Sequence, residues 1–159
     1  MVPPLSAKEK LQVQFRKSLR RGHTKNAELD PVLSAGVAAI MEPDETAIVR
    51  VDSTKGQHYW FSDRRLLSEH DGGICELVRY QSVIEAHWMF KDFWTERVKS
   101  LQSVEAAAQF KLDHFDRLEI ESHDRLIVLE GLDQAYYPVL HFFWWITRDS
   151  LKNKRRGLL

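Results

Sequence analysis

The sequence contains very little cysteine and no long hydrophobic run. Its 159 residues include a single cysteine, Cys75, which excludes an internal disulfide framework and favours a reducing compartment. The longest aromatic and apolar run, residues 135–146, is interrupted by Pro138 and His141 and is far shorter than the ~20 residues that span a bilayer. No signal peptide is recognisable at the start of the sequence. These features predict a cytoplasmic protein with a single domain.

Signatures of catalysis and of metal binding are also missing. The sequence has no His-Glu-x-x-His motif, no Gly-x-Ser-x-Gly elbow and no glycine-rich phosphate loop. Cys75 is expected to be a small core residue of a strand, and His87 a structural histidine on a strand face shared with Glu85. We therefore predict that the protein is not an enzyme and has no catalytic residue, metal or cofactor. Further metal-ligand candidates are expected to be exposed turn residues: His114, Asp116, His123 and Asp124.

The net charge of zero conceals an uneven distribution. Residues 1–25 hold seven Lys and Arg against one Glu, and residues 148–159 hold five against one Asp. The middle of the chain is therefore acidic, and the basic ends are candidates for contact with an anionic membrane surface or an anionic protein partner. Nucleic acid is an unlikely partner, since no predicted sheet face interleaves aromatic and basic residues. The candidate lipid- or anion-binding residues are Arg16, Lys17, Arg20, Arg21, Arg50, Lys55, Lys152, Lys154, Arg155 and Arg156.

Two helices are predicted before the first strand. Ser6 and Glu9 form a capping box, in which each side chain accepts a hydrogen bond from the other residue's backbone N–H. A helix over residues 7–21 follows, with an apolar stripe of Leu11, Phe15 and Leu19. A second helix is expected from Asp30 and Pro31 to Met41, with Asp30 as its cap. Residues 1–43 thus form an N-terminal helical extension.

From residue 44 onward the pattern changes to strands, which predicts one domain over residues 44–159. In the fifth predicted strand, Ile84, Ala86, Trp88 and Phe90 are expected to lie on one face, with Glu85, His87 and Met89 on the other. Residues 92–112 have helical spacing and a helix-favouring composition, which predicts a helical insertion. The strands are predicted over residues 46–53, 57–62, 65–69, 74–80, 83–90, 116–121 and 125–130, and a last helix from 135–138 to 152.

The last helix is apolar on nearly all sides, which indicates that it is covered on more than one side. We assign one stripe to the core: Tyr136, Val139, Phe143 and Ile146. The second stripe admits three interpretations: the N-terminal or insertion helices cover it, it forms a partner or homodimer interface, or it is a membrane-surface patch. This second stripe, the candidate partner interface, consists of Tyr137, His141, Trp144 and Trp145.

Seven antiparallel strands closed by a C-terminal helix predict an α+β fold, either a small barrel or two orthogonal sheets. Residues 59–67, Tyr-Trp-Phe-Ser-Asp-Arg-Arg-Leu-Leu, resemble a strand hairpin of the bacterial pleckstrin-homology-like domains. Residues 77–84 resemble that family's next strand-to-strand corner, and residues 132–140 resemble its entry to the closing helix. The resemblance implies a scaffold for lipid headgroups, peptides or oligomer contacts. We therefore expect a non-enzymatic binding module for an anionic membrane surface or a protein partner. The alternative is a homo-oligomeric structural or regulatory protein assembled through the aromatic C-terminal helix.

Overall fold

The protein is of the α+β class, with two antiparallel sheets and a C-terminal helix. A computed structural model describes residues 5–71, 73–87, 103, 105–106 and 117–148. The predicted insertion helix therefore lies almost entirely outside the described residues. The helices are α1 (Ala7–Arg20), α2 (Ala35–Ile40) and α3 (Tyr136–Arg148), and the strands are β1 (Ala27–Leu29), β2 (Ala47–Asp52), β3 (His58–Ser62), β4 (Arg65–His70), β5 (Gly73–Arg79), β6 (Val83–His87), β7 (Leu118–Ser122) and β8 (Leu126–Leu129).

Helix α1 begins and ends where its local sequence predicts. The Ser6 Oγ accepts the Glu9 N–H at 3.2 Å, and the Glu9 carboxylate accepts the Ser6 N–H at 2.8 Å. The helix stops before Gly22, whose φ of +69° is unstrained only without a side chain. The predicted capping box is therefore confirmed.

The predicted start of the second helix is wrong. Helix α2 begins at Ala35 because Ser34 caps it, its Oγ accepting the Val37 N–H at 3.2 Å. Asp30 instead has a positive φ of 49° and follows a short strand, β1, that the sequence pattern did not reveal. Strand β1 pairs antiparallel with β2, in a register that sets Ala27 opposite Val51. The chain from residue 27 to 40 is thus a strand, a loop and a short helix.

The strands form two sheets in the order β1-β2-β3-β4-β5 and β6-β7-β8. All neighbouring strands are antiparallel. The seven predicted strands are all present over their described residues, with ends that differ by a few positions. Among the described strands, the two sheets do not close into one barrel.

A single large core joins both sheets to α1 and α3. Phe61 of β3 contacts Phe15 of α1, with ring centroids 6.2 Å apart, and meets Phe142 and Phe143 of α3 at 6.3 and 6.2 Å. Tyr80 packs edge-to-face on Phe142 at 5.0 Å. The predicted core stripe of α3 is fully buried. Helix α1 therefore shares its core with the sheets and does not hang free.

Two strand residues differ from their prediction: Ile84 does not share a face with the buried Ala86, and Cys75 is not in the core. Ile84 is 44% exposed because the pairing of β6 with β7 shifts register between Val83 and Glu85, which turns Ile84 outward and Val83 inward. Cys75 is also exposed, and β5, on which it lies, is the edge strand of the five-stranded sheet. The assignment of Cys75 to the core was wrong, and its sequence neighbours did not reveal that β5 is an edge strand.

Candidate anion-binding site

Helices α1 and α3 lie side by side and leave a groove between them. It consists of two cavities of about 340 and 170 Å³ that adjoin at Gln14 and His141. We call this feature the α1–α3 groove. Its α1 side is lined by Lys10, Gln14, Lys17, Ser18, Arg21 and His23, and its α3 side by Tyr137, Pro138, His141, Trp144, Trp145 and Arg148.

The α1 wall follows directly from helical spacing. Lys10, Gln14 and Lys17 are separated by four and three residues and share one side of the helix. They adjoin the stripe of Leu11 and Phe15 that is buried against the core. The packing that fixes α1 on the sheets therefore also turns its polar side chains toward α3.

The chain after α1 is tied to the segment that precedes α3. Thr24 Oγ1 donates to the Gln134 carbonyl at 3.1 Å, and the Lys25 N–H donates to the Gln134 Oε1 at 2.8 Å. Asn26 Nδ2 donates to the Leu132 carbonyl at 2.9 Å. These bonds join segments more than one hundred residues apart in sequence and fix one end of the groove.

Aromatic residues with defined positions form the α3 wall. The Trp144 Nε1–H donates to the Ala86 carbonyl at 3.3 Å, and the His141 ring stacks on Trp144 with centroids 5.8 Å apart. Tyr137 meets His141 at 6.3 Å and is 52% exposed. Helix α1 thus lies along the predicted second stripe of α3 without covering it completely.

The described lining of the groove is positively charged, because it includes four Lys and Arg side chains and, among the described residues, no carboxylate. Burial and the nearby Lys10 ammonium both lower the pKa of His141 below its usual value. No Lys or Arg of α1 forms an ion pair with a residue in the described ranges. By contrast, Arg50, Arg65 and Arg79 of the five-stranded sheet each pair with a carboxylate.

The structure brings together part of the predicted anion-binding set and all of the predicted partner stripe. Lys17 and Arg21 line the groove with Tyr137, His141, Trp144 and Trp145. Arg16 and Arg20 are exposed on α1 outside the groove lining. The other predicted cations of the C-terminal tail lie outside the described residues: Lys152, Lys154, Arg155 and Arg156.

Two predicted anion-binding residues lie elsewhere. Arg50 contacts Glu28 at 3.1 Å and Asp52 at 2.9 Å, and its guanidinium lies 5.7 Å from the Trp60 ring centre. It is directly opposite Trp60 in the sheet, on the face away from the α1 core. Lys55 is exposed in the β2–β3 turn. Neither residue lines the α1–α3 groove.

Six groove residues were missed by the sequence reasoning: Lys10, Gln14, Ser18, His23, Pro138 and Arg148. For all but His23 the signal was present in the helical periodicity, since each is three or four residues from another lining residue. That signal becomes usable only when the pairing of α1 with α3 is known, because each helix alone has several polar sides. The groove is a tertiary feature that neither helix displays by itself.

A second cluster of polar groups lies on the three-stranded sheet. Side-chain atoms of Glu85, His87 and Glu121 lie within 4.8 Å of one another, and the His87 Nε2 is 3.0 Å from the Glu121 carboxylate. All three side chains are partly exposed. His87 is thus hydrogen-bonded to a carboxylate, as expected for a structural histidine.

No helix among the described residues has the length and apolar character needed to cross a membrane. Comparison with known proteins found no matching family model, no matching curated protein and no matching solved structure. The resemblance to pleckstrin-homology-like domains and the homo-oligomer alternative therefore remain predictions.

Proposed function

We propose that the protein is a non-enzymatic binding module that docks on an anionic membrane surface through α1 and the α1–α3 groove. The observation that carries this proposal is the set of α1 cations that lack a carboxylate partner in the described structure and lie beside an aromatic wall. By contrast, Arg50, Arg65 and Arg79 of the five-stranded sheet are held in ion pairs, so their charge is already compensated.

The combination of residue types favours a membrane as the partner. Lys and Arg near an anionic bilayer contribute up to ~1 kcal/mol each through long-range attraction. Trp and Tyr are the side chains preferred at headgroup depth, because each has an apolar ring and a polar group. Tyr137 retains exposed surface in the cavity that Lys17 and Arg21 line. Trp144 and Trp145 are partly exposed in the adjoining cavity, which Lys10 lines.

We further propose that the fold is a variant of the pleckstrin-homology-like superfamily. Two antiparallel sheets with a C-terminal helix support this assignment, as does the contact of that helix with both sheets. In such a variant the N-terminal helix α1 would be an addition that supplies the binding surface. The superfamily itself does not define a ligand.

Flotation with vesicles tests the proposal. The full chain is mixed with neutral phosphatidylcholine vesicles, or with vesicles that also contain phosphatidylserine, at low and at moderate salt. We expect binding only to the anionic vesicles, with a loss at higher salt because exposed charges are screened. The double variant K17Q/R21Q should lose most of this binding.

The matched control is K55Q/R117Q, which removes the same charge at two exposed residues that do not line the groove. This control should bind as the unmodified chain does. An equal loss of vesicle binding in both double variants would show that net charge alone matters and that the groove has no special role. Unchanged binding in both would show that Lys17 and Arg21 do not contribute. Absence of binding to anionic vesicles at low salt would overturn the membrane proposal.

A further inference from the structure

We propose that the larger cavity of the α1–α3 groove binds a phosphate group, presented by a lipid headgroup or by a soluble phosphomonoester. This inference rests on the groove as the binding surface of the proposed function, and it adds a specific ligand chemistry to that surface. The cavity has a volume of about 340 Å³, within the range of about 300–1,000 Å³ that small-molecule sites occupy. A surface that attracted anions by charge alone would need no such cavity.

The polar side chains that line this cavity within the described ranges offer hydrogen-bond donors and include no carboxylate. Lys10 supplies an ammonium group, Gln14 an amide and Arg148 a planar guanidinium. A phosphate has several strong acceptor oxygens and pairs with an arginine through two parallel hydrogen bonds. The two positive charges of Lys10 and Arg148 match the charge of a phosphomonoester, which is close to −2 at neutral pH.

The remaining walls suit the organic group attached to such a phosphate. Trp144 and Trp145 line the same cavity, and the indole N–H of Trp144 is already bonded to the Ala86 carbonyl. The Trp144 ring therefore offers mainly apolar surface. A glycerol or sugar unit next to a phosphate has C–H groups that pack against such rings.

His141 provides a spectroscopic reporter inside the cavity. Burial and Lys10 lower its pKa, and a bound phosphate would oppose this effect because it stabilises the protonated imidazole. The other charged or titratable groups that line the groove are Lys10, Lys17, Arg21, His23, Tyr137 and Arg148. Addition of phosphate should therefore raise the pKa of His141, measured from its ring resonances by NMR.

The test measures binding of inorganic phosphate and glycerol 3-phosphate to the full chain by calorimetry, and of phosphatidic acid vesicles by flotation. The variant is K10Q, and the matched control is K8Q, which removes the same charge from an exposed position on α1 outside the groove lining. We expect K10Q to weaken binding about tenfold, as for the loss of one charge-assisted hydrogen bond. K8Q should leave it nearly unchanged.

The outcomes separate the two ligand sources and the two proposals. Binding of glycerol 3-phosphate that depends on Lys10 supports the inference with a soluble ligand, and Lys10-dependent binding of phosphatidic acid vesicles alone supports it with a lipid.

If K10Q, K8Q and the unmodified chain bind these phosphate ligands equally, or do not bind them, the inference is overturned. The membrane proposal still stands in that case if phosphatidylserine vesicles bind. Conversely, phosphate binding without any vesicle binding overturns the membrane proposal alone. Should K10Q fail to fold, R148Q gives the same readout from the other helix.

Discussion

Glu45 and Arg65 form the least exposed ion pair among the described residues. The guanidinium donates to both carboxylate oxygens at 2.9 Å, and the Ser62 hydroxyl donates to the same carboxylate at 2.6 Å. Arg65 also donates to the Ile40 carbonyl at 2.7 Å, which ties the end of α2 to β4. Burial alone would raise the pKa of Glu45, but the hydrogen bonds from Arg65 and Ser62 outweigh it and lower the pKa to about 2.

The variant E45Q should therefore destabilise the protein in a pH-dependent way. Removal of the Glu45 charge leaves the buried Arg65 guanidinium paired only with the partly exposed Glu76, 3.1 Å away. The loss of its buried partner should cost about 1.5–3 kcal/mol at neutral pH, as for a hydrogen bond to a charged group. The pKa of Glu45 is lower in the folded chain than its usual 4.5, so its stabilising effect is complete above pH 4.5 and is lost as the pH falls toward 2. Urea denaturation of both proteins at several pH values measures this difference.

The control for this experiment is E28Q, since Glu28 is a 53% exposed partner of Arg50. An exposed ion pair contributes about 1 kcal/mol or less, so E28Q should have a small effect at every pH. A difference between E45Q and the unmodified chain that is the same at acidic and at neutral pH would contradict the assigned role of Glu45.

The ion pair and the capping box differ in how far the sequence alone could predict them. Ser6 and Glu9 are three residues apart, and their bond needs only the start of one helix. Glu45 and Arg65 are twenty residues apart and meet only after β2, β3 and β4 have paired. Nothing in the spacing of these charges distinguishes them from exposed ones, so the sequence pattern did not single them out.

Helix α1 depends on tertiary packing for its position. Its side chains are basic on most sides, and Leu11 and Phe15 are its largest fully buried residues. It contacts α3, β1 and β2 through this narrow stripe. The same contacts determine the width of the α1–α3 groove, so loss of the stripe should remove one wall of the proposed site.

Truncation of Phe15 tests this dependence. The variant F15A should lower the free energy of unfolding by about 3–5 kcal/mol, as for other large-to-small changes of a buried phenylalanine. Val13 lies on the same helix but is 48% exposed, so V13A should change it by about 0.5 kcal/mol or less. Urea unfolding gives both values, and a near-neutral F15A would show that α1 does not belong to the core.

The strands show what the alternation of apolar and polar residues can predict and what it cannot. Strands β2 to β8, which have four to seven residues, were predicted because their pattern extends over enough positions to be distinctive. Strand β1 has three residues and too few positions to show a pattern. In β6 the register shift near Ile84 reverses the alternation, and its cause is the pairing with β7, a strand more than thirty residues later. Local sequence thus predicts which segments form strands, whereas long-range pairing decides which side chains are buried.

The net charge of zero conceals a cluster of cations on one side of the described fold. The cations of α1, which form no ion pair with another described residue, lie next to β1 and β2, at one edge of the five-stranded sheet. Cys75 lies on β5 at the opposite edge of that sheet and is exposed. A protein that docks through α1 should therefore have a defined orientation, with β5 directed away from the membrane.

Two single-cysteine proteins test this orientation. One is the unmodified chain, labelled at Cys75 with an environment-sensitive fluorophore. The other is V13C in a C75S background, which carries the label on the exposed side of α1.

With phosphatidylserine vesicles we expect the emission of the label at residue 13 to shift to shorter wavelength. The same label should become protected from acrylamide, a neutral quencher. The label at Cys75 should remain accessible, because the width of the sheet separates it from the docking surface. Equal protection of both labels would contradict a single orientation, and protection at Cys75 alone would place the membrane contact on the opposite edge of the sheet.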